Sequence, residues 1–297
     1  MREQIHYDYL ARIRGAVAIY TERRTSNILD GGFRAIFRGK SMEFDDLKEY
    51  VPGDDIRDID WRSSSRSGKV LIRRYVAERR HNLLFVCGTG PGMTGDTDAG
   101  ERKAHLLLQA FGTVAYLADR QGADFAAACS DALGTRLGMF RSGTAALEEE
   151  LRKLENRVEE KPKETIDHVL RRAVDLIQRR MVIVLITDLD GIARLDEALV
   201  RRVTVRNDLL VFILTDAWFY GADVYDVDGG CYENDFILGS RKLLAAEKAE
   251  RKKIRDKAEQ IFRKYGVVSV EVSRESEIID RTVELFARGR GRKAGFS

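Results

Sequence analysis

The stretch that decides the fold reads GDDIRDIDWRSSSR and runs from Gly53 to Arg66. Acidic residues and arginines alternate in it around a single tryptophan, Trp61, an order that solubility alone does not require. A glycine permits a tight turn, and carboxylate–guanidinium pairs can fix the geometry between turns. We therefore interpret the stretch as a structural signature, in which Trp61 buries a large apolar surface beneath a network of ion pairs.

Catalysis by the same stretch is the alternative. The run holds no His or Cys, so a hydrolase or nuclease built on it would need carboxylates that converge on an open cleft. The carboxylates available are those of Asp54, Asp55, Asp58 and Asp60. The alternative fails if these acids instead pair with the neighbouring arginines, which are Arg57, Arg62 and Arg66.

The order of residues in this stretch resembles the signature of a known family. The positions that carry the resemblance are Gly53, Asp54, Asp55, Arg57, Asp60, Trp61 and Arg66. They resemble the bacterial and archaeal family called domain of unknown function fifty-eight, in which the signature precedes a von Willebrand factor A-like domain. The resemblance also implies a protein partner, a MoxR-type AAA+ ATPase, with which such proteins are thought to act in chaperone-like maturation or assembly of other proteins.

Strand and helix patterns alternate along most of the chain. Continuous apolar runs, typical of central strands buried on both faces, occur at 83–87, 124–129, 181–186, 209–214 and 267–272. Helical patterns lie between them, at 102–120, 144–157, 165–180, 192–203 and 240–265. This alternation predicts an α/β fold with a mostly parallel, Rossmann-like sheet flanked by helices, as the resemblance to von Willebrand A-like domains also implies.

The patterns divide the chain into four segments. Residues 1–30 are predicted to form an N-terminal helix, because apolar residues recur there at helical spacing. Residues 31–80 show short alternating segments punctuated by glycine, which indicates a small β-rich subdomain that carries the signature. Residues 81–288 form the predicted von Willebrand A-like domain, and residues 289–297 a basic tail that we expect to be frayed and solvated.

Composition narrows the class of protein. The 51 basic and 48 acidic residues are interleaved, and a net charge of +3 does not require a nucleic-acid partner. Nucleic-acid binding through the basic residues of 288–293 and 240–265 is a lower-ranked alternative, which predicts an affinity that falls steeply with salt. The three cysteines are too widely spaced to suggest a disulfide framework or a zinc site. We find no apolar run of about 18 residues and no signal peptide, and we therefore expect a cytoplasmic protein.

A ligand site is expected at the carboxyl ends of the strands, where open α/β sheets bind ligands. The resemblance to von Willebrand A-like domains implies a loop D-x-S-x-S after the first central strand, which holds Mg²⁺ or Mn²⁺ through hard oxygen donors. When the loop is anchored on Met93, the three ligand positions fall on Gly88, Gly90 and Gly92. A register shifted by one residue would place Cys87, Thr89 and Pro91 there. Neither register restores a site for a hard metal ion.

The remaining metal positions of the family survive in part. Asp188 matches the acid that follows the fourth strand, and Thr165, or less favourably Thr144, matches the family's threonine. One or two carboxylates without the first loop would hold Mg²⁺ or Mn²⁺ weakly, if at all. The sequence thus predicts a degenerate metal site, whose loop consists of Gly88, Thr89, Gly90 and Gly92.

No catalytic constellation stands out in the sequence. The four histidines are scattered, and no nucleophile elbow of the form G-x-S-x-G occurs. The glycine loop matches no nucleotide-binding pattern, because no lysine follows it and Pro91 removes a donor. The leading prediction is a non-enzymatic adaptor without a cofactor that binds another protein through its strand-end face. A metal-dependent binding module is the second hypothesis, and a hydrolase or nucleic-acid-binding protein is the third.

Overall fold

A computed structural model describes residues 8–23, 44–52, 54–75, 82–218, 224–226, 231–233 and 241–293. Its strands are β1 (Phe44–Glu49), β2 (Leu71–Tyr75), β3 (Asn82–Cys87), β4 (Asp124–Asp131), β5 (Gly134–Leu137), β6 (Val182–Asp188), β7 (Asp208–Leu214), β8 (Val224–Asp226), β9 (Cys231–Glu233) and β10 (Val268–Val272). Its α-helices are α1 (Tyr9–Arg23), α2 (Trp61–Ser67), α3 (Lys103–Arg120), α4 (Thr144–Glu159), α5 (Ile166–Leu176), α6 (Leu189–Ala193), α7 (Glu197–Thr204), α8 (Arg241–Tyr265) and α9 (Ile278–Lys293).

The largest sheet has six strands in the order β10-β7-β6-β3-β4-β5. Neighbouring strands are parallel except for β4 and β5, which are antiparallel. Numbered along the chain and read from the β5 edge, the order is 3-2-1-4-5-6, the doubly wound arrangement. The predicted fold class, an α/β fold with a mostly parallel, Rossmann-like sheet flanked by helices, is confirmed.

Helices cover both faces of this sheet. Leu83 and Phe85 on β3 face a core formed with α1, α3, α4 and α9. Leu84 and Val86 face a second core formed with α5, α7 and the C-terminal half of α8. Successive side chains of a strand point to opposite faces, so a strand that is covered on both sides must be apolar throughout. This double burial explains the continuous apolar runs in the sequence.

The N-terminal helix is part of the main body of the protein. Ile13 and Val17 of α1 are buried in the same core as α3. Space for Ile13 exists because α3 has a glycine at position 112, where a Cβ would overlap the Ile13 Cδ1 atom. Helix α1 therefore packs as part of a layer of helices on the sheet.

Within the described residues 44–52 and 54–75, the signature region contains helical turns as well as β-structure. Strands β1 and β2 form an antiparallel ribbon, and the chain between them makes a 3-10 turn at Ile56–Asp58 and helix α2. Asp60 begins α2 as its N-cap, accepting from the N–H groups of Arg62 and Ser63. The prediction that Trp61 is buried is wrong, because its side chain is 70% exposed. The seven residues of α2 include no buried residue, so this helix covers no core.

The remaining differences concern element boundaries. Strand β5 was not predicted, because it is a short edge strand with half-exposed residues and no apolar run. The helix predicted at 192–203 is interrupted, because Asp196 begins α7 as an N-cap by accepting from Leu199 N–H. Helix α9 continues to Lys293, so the tail predicted to begin at residue 289 is helical in its first part.

Candidate functional site

The candidate site lies between β3 and β6, where the strand order of the sheet reverses. The carboxyl ends of two neighbouring parallel strands meet there, at the usual position of a ligand in a doubly wound sheet. Strand β3 leads into the glycine loop of residues 88–92, and β6 ends at Asp188. The Gly88 N–H donates to the Ile186 carbonyl over 2.9 Å, which ties the loop to β6.

The glycine loop approaches the end of β6 closely. A Cβ at Gly92 would lie 2.7 Å from Asp188 Oδ2 and 4.0 Å from Lys103 Nζ, and one at Gly88 would lie 2.8 Å from Met93 Cε. A 3-10 turn at Pro91–Thr94 buries Met93 behind the loop. The register anchored on Met93 describes this geometry, since position 92 faces the acid after β6. A side chain at position 92 has no room beside Asp188 as it now lies.

Thr89, which would supply a hydroxyl in the shifted register, is turned into the protein. Its Oγ1 atom donates to the Ser130 carbonyl over 2.8 Å and lies 3.0 Å from Ser130 Oγ. Ser130 belongs to β4, on the far side of β3 from β6. The Thr89 hydroxyl is therefore engaged with β4, and its side chain is buried.

A buried lysine occupies the centre of the site. Lys103, the first residue of α3, donates from Nζ to Asp188 Oδ2 over 3.0 Å and also to Asp216 Oδ1. The exposed fraction of the side chain is 5% for Lys103, 9% for Asp188 and 23% for Asp216. Asp216 follows β7, the neighbour of β6 in the sheet. One ammonium group thus bridges two carboxylates at the ends of adjacent strands.

The first turn of α6 completes this network. Asp188 Oδ1 accepts from the Gly191 N–H over 3.0 Å, and Asp216 Oδ2 accepts from the Leu189 N–H over 3.2 Å. Each of the four carboxylate oxygens therefore has a donor, two of them from the lysine and two from the backbone. Two carboxylates and one ammonium leave a formal charge of −1, which the backbone N–H groups stabilise.

The protonation states follow from burial and from these contacts. Burial lowers the pKa of Lys103, but the nearby Asp188 and Asp216 carboxylates outweigh that effect and hold the pKa above its ordinary value. Burial raises the pKa of the Asp216 carboxyl, and Lys103 lowers it, while Asp188 raises it further, so the pKa lies above the ordinary range for aspartate. Lys103 is therefore a permanent cation at neutral pH and cannot act as a general base.

These residues do not fit the divalent ion that the resemblance implies. Three loop positions are glycine, the Thr89 hydroxyl bonds to β4, and the Lys103 ammonium lies between the two carboxylates. A divalent ion about 4 Å from that ammonium would be repelled by about 8 kcal/mol at an effective dielectric of about 20, twice the value for two unit charges. Within the ranges that the structure describes, no three His, Cys, Asp or Glu side chains are grouped as a metal site requires.

The other residue predicted to remain from a metal site, Thr165, is engaged locally. Thr165 Oγ1 donates to Asp167 Oδ1 over 2.6 Å at the start of α5. The carboxylate that shares a cation with Asp188 is Asp216, which sequence reasoning did not select. One signal in the sequence could have found it, because Thr215-Asp216 follows an apolar strand just as Thr187-Asp188 does. Lys103 gives no comparable signal, because it follows two other charged residues, Glu101 and Arg102, at the start of the helix.

Helix α8 holds the chain that follows Asp216. Arg251 is buried, although it lies in a densely charged helix, and it donates to the Asp216 carbonyl over 2.7 Å. Its guanidinium also pairs with Glu247 at 2.6 Å and stacks over the Trp218 ring at 4.4 Å. These contacts fix the backbone at the end of β7 and so help to position the Asp216 carboxylate.

Two of the signature acids, Asp54 and Asp60, are engaged in local contacts within the described residues. Asp54 pairs with Lys48 over 2.8 Å and accepts from the Val51 N–H, while Asp60 caps α2. The described salt-bridge partner of Asp54 is thus a lysine, and pairing with Arg57, Arg62 and Arg66 stays a prediction for the other signature acids. Gly53 and the side chain of Arg57 lie outside the described residues.

Comparisons with known proteins place the chain among its relatives. A model of the family described as protein of unknown function DUF58 matches residues 46–218, more than half of the chain. No curated protein matches. Among the helices of the described residues, none is both long and apolar enough to span a bilayer.

Solved structures similar to this chain include several bacterial proteins. A von Willebrand factor type A protein from Catenulispora acidiphila is 11% identical with a TM-score of 0.40, covering 72% of this chain and 44% of its own. The conserved hypothetical protein BatB from Bacteroides thetaiotaomicron is 11% identical with a TM-score of 0.45, covering 70% of this chain and 99% of its own. This chain therefore spans less than half the length of the first of these structures. The assignment of the fold rests on the strand order of the sheet.

Proposed function

Because this chain belongs to the family described as protein of unknown function DUF58, whose description names no activity, we propose its function from the candidate site: a non-enzymatic, metal-independent module that binds another protein. One observation carries this proposal, the Lys103 ammonium between Asp188 and Asp216. The lysine supplies the positive charge that a divalent ion would otherwise bring to this position in the sheet.

The chemistry of the trio supports a structural role at the strand ends. Lys103 keeps its proton, so it provides neither a base nor a nucleophile. Both carboxylates are hydrogen-bonded to the lysine and to the backbone of α6. A network with this many internal partners favours a rigid surface over a reactive centre. The surface around it would then present a fixed shape to a partner, whether or not Mg²⁺ or Mn²⁺ is present.

The finer part of the proposal concerns the partner. From the resemblance of the signature we propose a MoxR-type AAA+ ATPase in the cytoplasm, with this protein as the adaptor in the maturation or assembly of other proteins. The closed lysine network supports an adaptor that stays competent without a metal ion. The alternative is a module that depends on Mg²⁺ or Mn²⁺ bound by Asp188 and Thr165. It requires that the Lys103 ammonium move away from Asp188 so that the ion can bind there.

Co-purification from a lysate of the organism tests both parts of the proposal. The tagged protein is recovered with and without ATP, and with either EDTA or excess Mg²⁺, and the retained proteins are identified. A Thr165→Val variant, which removes one hydroxyl of the alternative metal site, is processed in parallel. We expect an AAA+ ATPase to be retained equally with EDTA, with Mg²⁺ and by the variant.

Two results would contradict the proposal in different ways. Loss of the ATPase both with EDTA and in Thr165→Val would favour a metal-dependent module and disprove metal independence, provided that ATP alone does not release the ATPase. Absence of any AAA+ ATPase under all conditions would disprove the proposed partner and leave the lysine network unaffected.

A further inference from the structure

The signature region exposes an apolar and basic surface. Helix α2 begins with Trp61, whose side chain is 70% exposed, and Ile56 in the preceding turn is also exposed. Val51 and Val70 are exposed beside the hydrogen bond from the Tyr50 N–H to the Val70 carbonyl. We call the exposed residues Val51, Ile56, Trp61, Arg62, Arg66 and Val70 the signature surface. An exposed tryptophan with aliphatic neighbours in one small unit is typical of a binding surface.

In the signature region some charged side chains make local contacts, whereas others face solvent. Asp54 is paired with Lys48, and Asp60 is occupied in capping α2. Arg62 and Arg66 lie one turn apart on α2 with exposed side chains. Neither guanidinium has a carboxylate within ion-pair distance among the residues that the structure describes. Two arginines and a tryptophan therefore face solvent on α2, and the acidic residues Asp55 and Glu49 are exposed as well.

We propose that the signature surface binds an acidic, apolar-containing face of a protein partner. Guanidinium groups pair with carboxylates in a bidentate manner, and tryptophan and arginine are the residues that contribute most to protein interfaces. This role of the signature surface rests on the proposed function in one respect only, namely that the partner is a protein. It does not depend on the Lys103 network or on the identity of the ATPase.

Charge argues against two other occupants, the segment of residues 24–43 and a second copy of this chain. The segment of residues 24–43 holds four basic residues, Arg24, Arg34, Arg38 and Lys40, against two acidic residues, Asp30 and Glu43. Its net positive charge would be repelled by Arg62 and Arg66. A second copy docking through the same surface would bring guanidinium groups of both copies together. A carboxylate-rich partner avoids both conflicts and neutralises the two arginines.

The experiment measures binding of defined peptides to the full chain. The probes are an array of short peptides in which Asp and Glu alternate with Leu or Phe, and a matched array in which Asn and Gln replace the acids. Binding is followed by tryptophan fluorescence, and Trp61→Phe identifies the signal that comes from Trp61, since Trp218 is the only other tryptophan. Circular dichroism and thermal unfolding verify that each variant is folded.

Charge variants provide a matched comparison. Arg66→Gln removes an unpaired exposed charge, whereas Lys69→Gln removes a nearby exposed charge that already pairs with Glu49 at 3.1 Å. We expect acidic peptides to bind saturably and amide peptides not to bind. The double variant Arg62→Gln/Arg66→Gln should weaken binding about tenfold, and Lys69→Gln less than about twofold. Added salt should weaken binding by the wild-type protein.

Several outcomes would overturn the proposal. These are no change in Trp61 emission with any acidic peptide, equal affinity for the amide peptides, and equal losses in Arg66→Gln and Lys69→Gln. Binding of a peptide of residues 24–43, of phosphatidylserine vesicles or of single-stranded DNA at Trp61, with no binding of acidic peptides, would also overturn it. If no acidic peptide binds but an AAA+ ATPase co-purifies in EDTA, only the proposal about the signature surface is refuted. If acidic peptides bind but no AAA+ ATPase co-purifies, only the proposed identity of the partner is refuted.

Discussion

Replacing Lys103 by methionine should destabilise the protein more than any lysine substitution at its surface. Methionine keeps the length of the side chain and its helix propensity but removes the charge. Asp188 and Asp216 would then face each other at the strand ends without a cation between them. Removing one partner of a buried ion pair costs about 3–5 kcal/mol, because the other charge stays buried and unpaired.

The exposure and the pKa of Asp216 determine how large the loss of unfolding free energy in Lys103→Met should be and how it should depend on pH. Asp216 is 23% exposed, so water can relieve part of its charge, and we expect a loss of about 3 kcal/mol at neutral pH. At about 2 °C per kcal/mol for a chain of this size, the melting temperature should fall by about 6 °C. The loss should shrink on acidification, since burial and Asp188 already raise the pKa of the Asp216 carboxyl and its protonation removes the like-charge contact.

The stability at alkaline pH gives a second, independent test of the contribution of Lys103. Because the pKa of Lys103 is raised in the folded protein, its stabilising contribution is complete below the ordinary lysine pKa of about 10.4. It is lost as the pH rises through the higher folded value. The difference in unfolding free energy between wild type and Lys103→Met should therefore be largest from neutral pH to about pH 10 and should fall at both extremes.

Urea unfolding at a series of pH values measures this difference. Lys153→Met is the matched control, since Lys153 forms an exposed helical pair with Glu149 at 2.6 Å and should lose less than about 1 kcal/mol. A loss below 1 kcal/mol for Lys103→Met, or one that is the same at all pH values, would refute the reasoning. So would equal losses in the two variants.

Two further predictions concern packing and the buried thiols. Gly15→Ala should stabilise α1 by about 1 kcal/mol, because beyond the adjacent backbone of α1 no described atom lies within 4 Å of the added Cβ, whereas Gly112→Ala should destabilise by about 1–3 kcal/mol through overlap with Ile13. Thermal unfolding of both variants checks this, and a stabilising Gly112→Ala would contradict the packing of α1 on α3. Cys87 and Cys129 should resist a thiol reagent at pH 8 until the protein unfolds, because burial raises the pKa of both thiols, that of Cys129 to about 11. Labelling of either in the folded protein at the rate of an unfolded control would contradict their burial.

The sheet could be predicted from the sequence because burial on both faces leaves a direct trace. The run at 83–87 is apolar throughout, and the structure places it as β3 in the middle of the sheet. The edge strand β5 has no such trace, since its four residues are half exposed or exposed. A strand that forms mainly because it pairs with a neighbouring strand has no distinctive residue pattern and is therefore difficult to predict from the sequence.

Only some residues of the candidate site could be predicted from the sequence, for a related reason. The glycine loop and Asp188 are recognisable because each immediately follows a strong strand pattern. Lys103 lies 85 residues before Asp188 and at the start of a helix, so only the fold brings the two together. The prediction that Trp61 is buried was wrong for a different reason. Its large apolar side chain suggested burial, but the short helix α2 contains no buried residue.

Titration of the protein with Mn²⁺ tests the central claim, that the Lys103 ammonium takes the place of a metal ion, most directly. Bound Mn²⁺ is counted by electron paramagnetic resonance, and melting temperatures are measured with Mg²⁺, Mn²⁺ and EDTA. We predict no saturable binding and no shift in melting temperature for the wild-type chain. Binding of one Mn²⁺ per chain that is abolished by Asp188→Ala, with stabilisation of about 2.7 kcal/mol at a hundredfold excess over the dissociation constant, would contradict the claim.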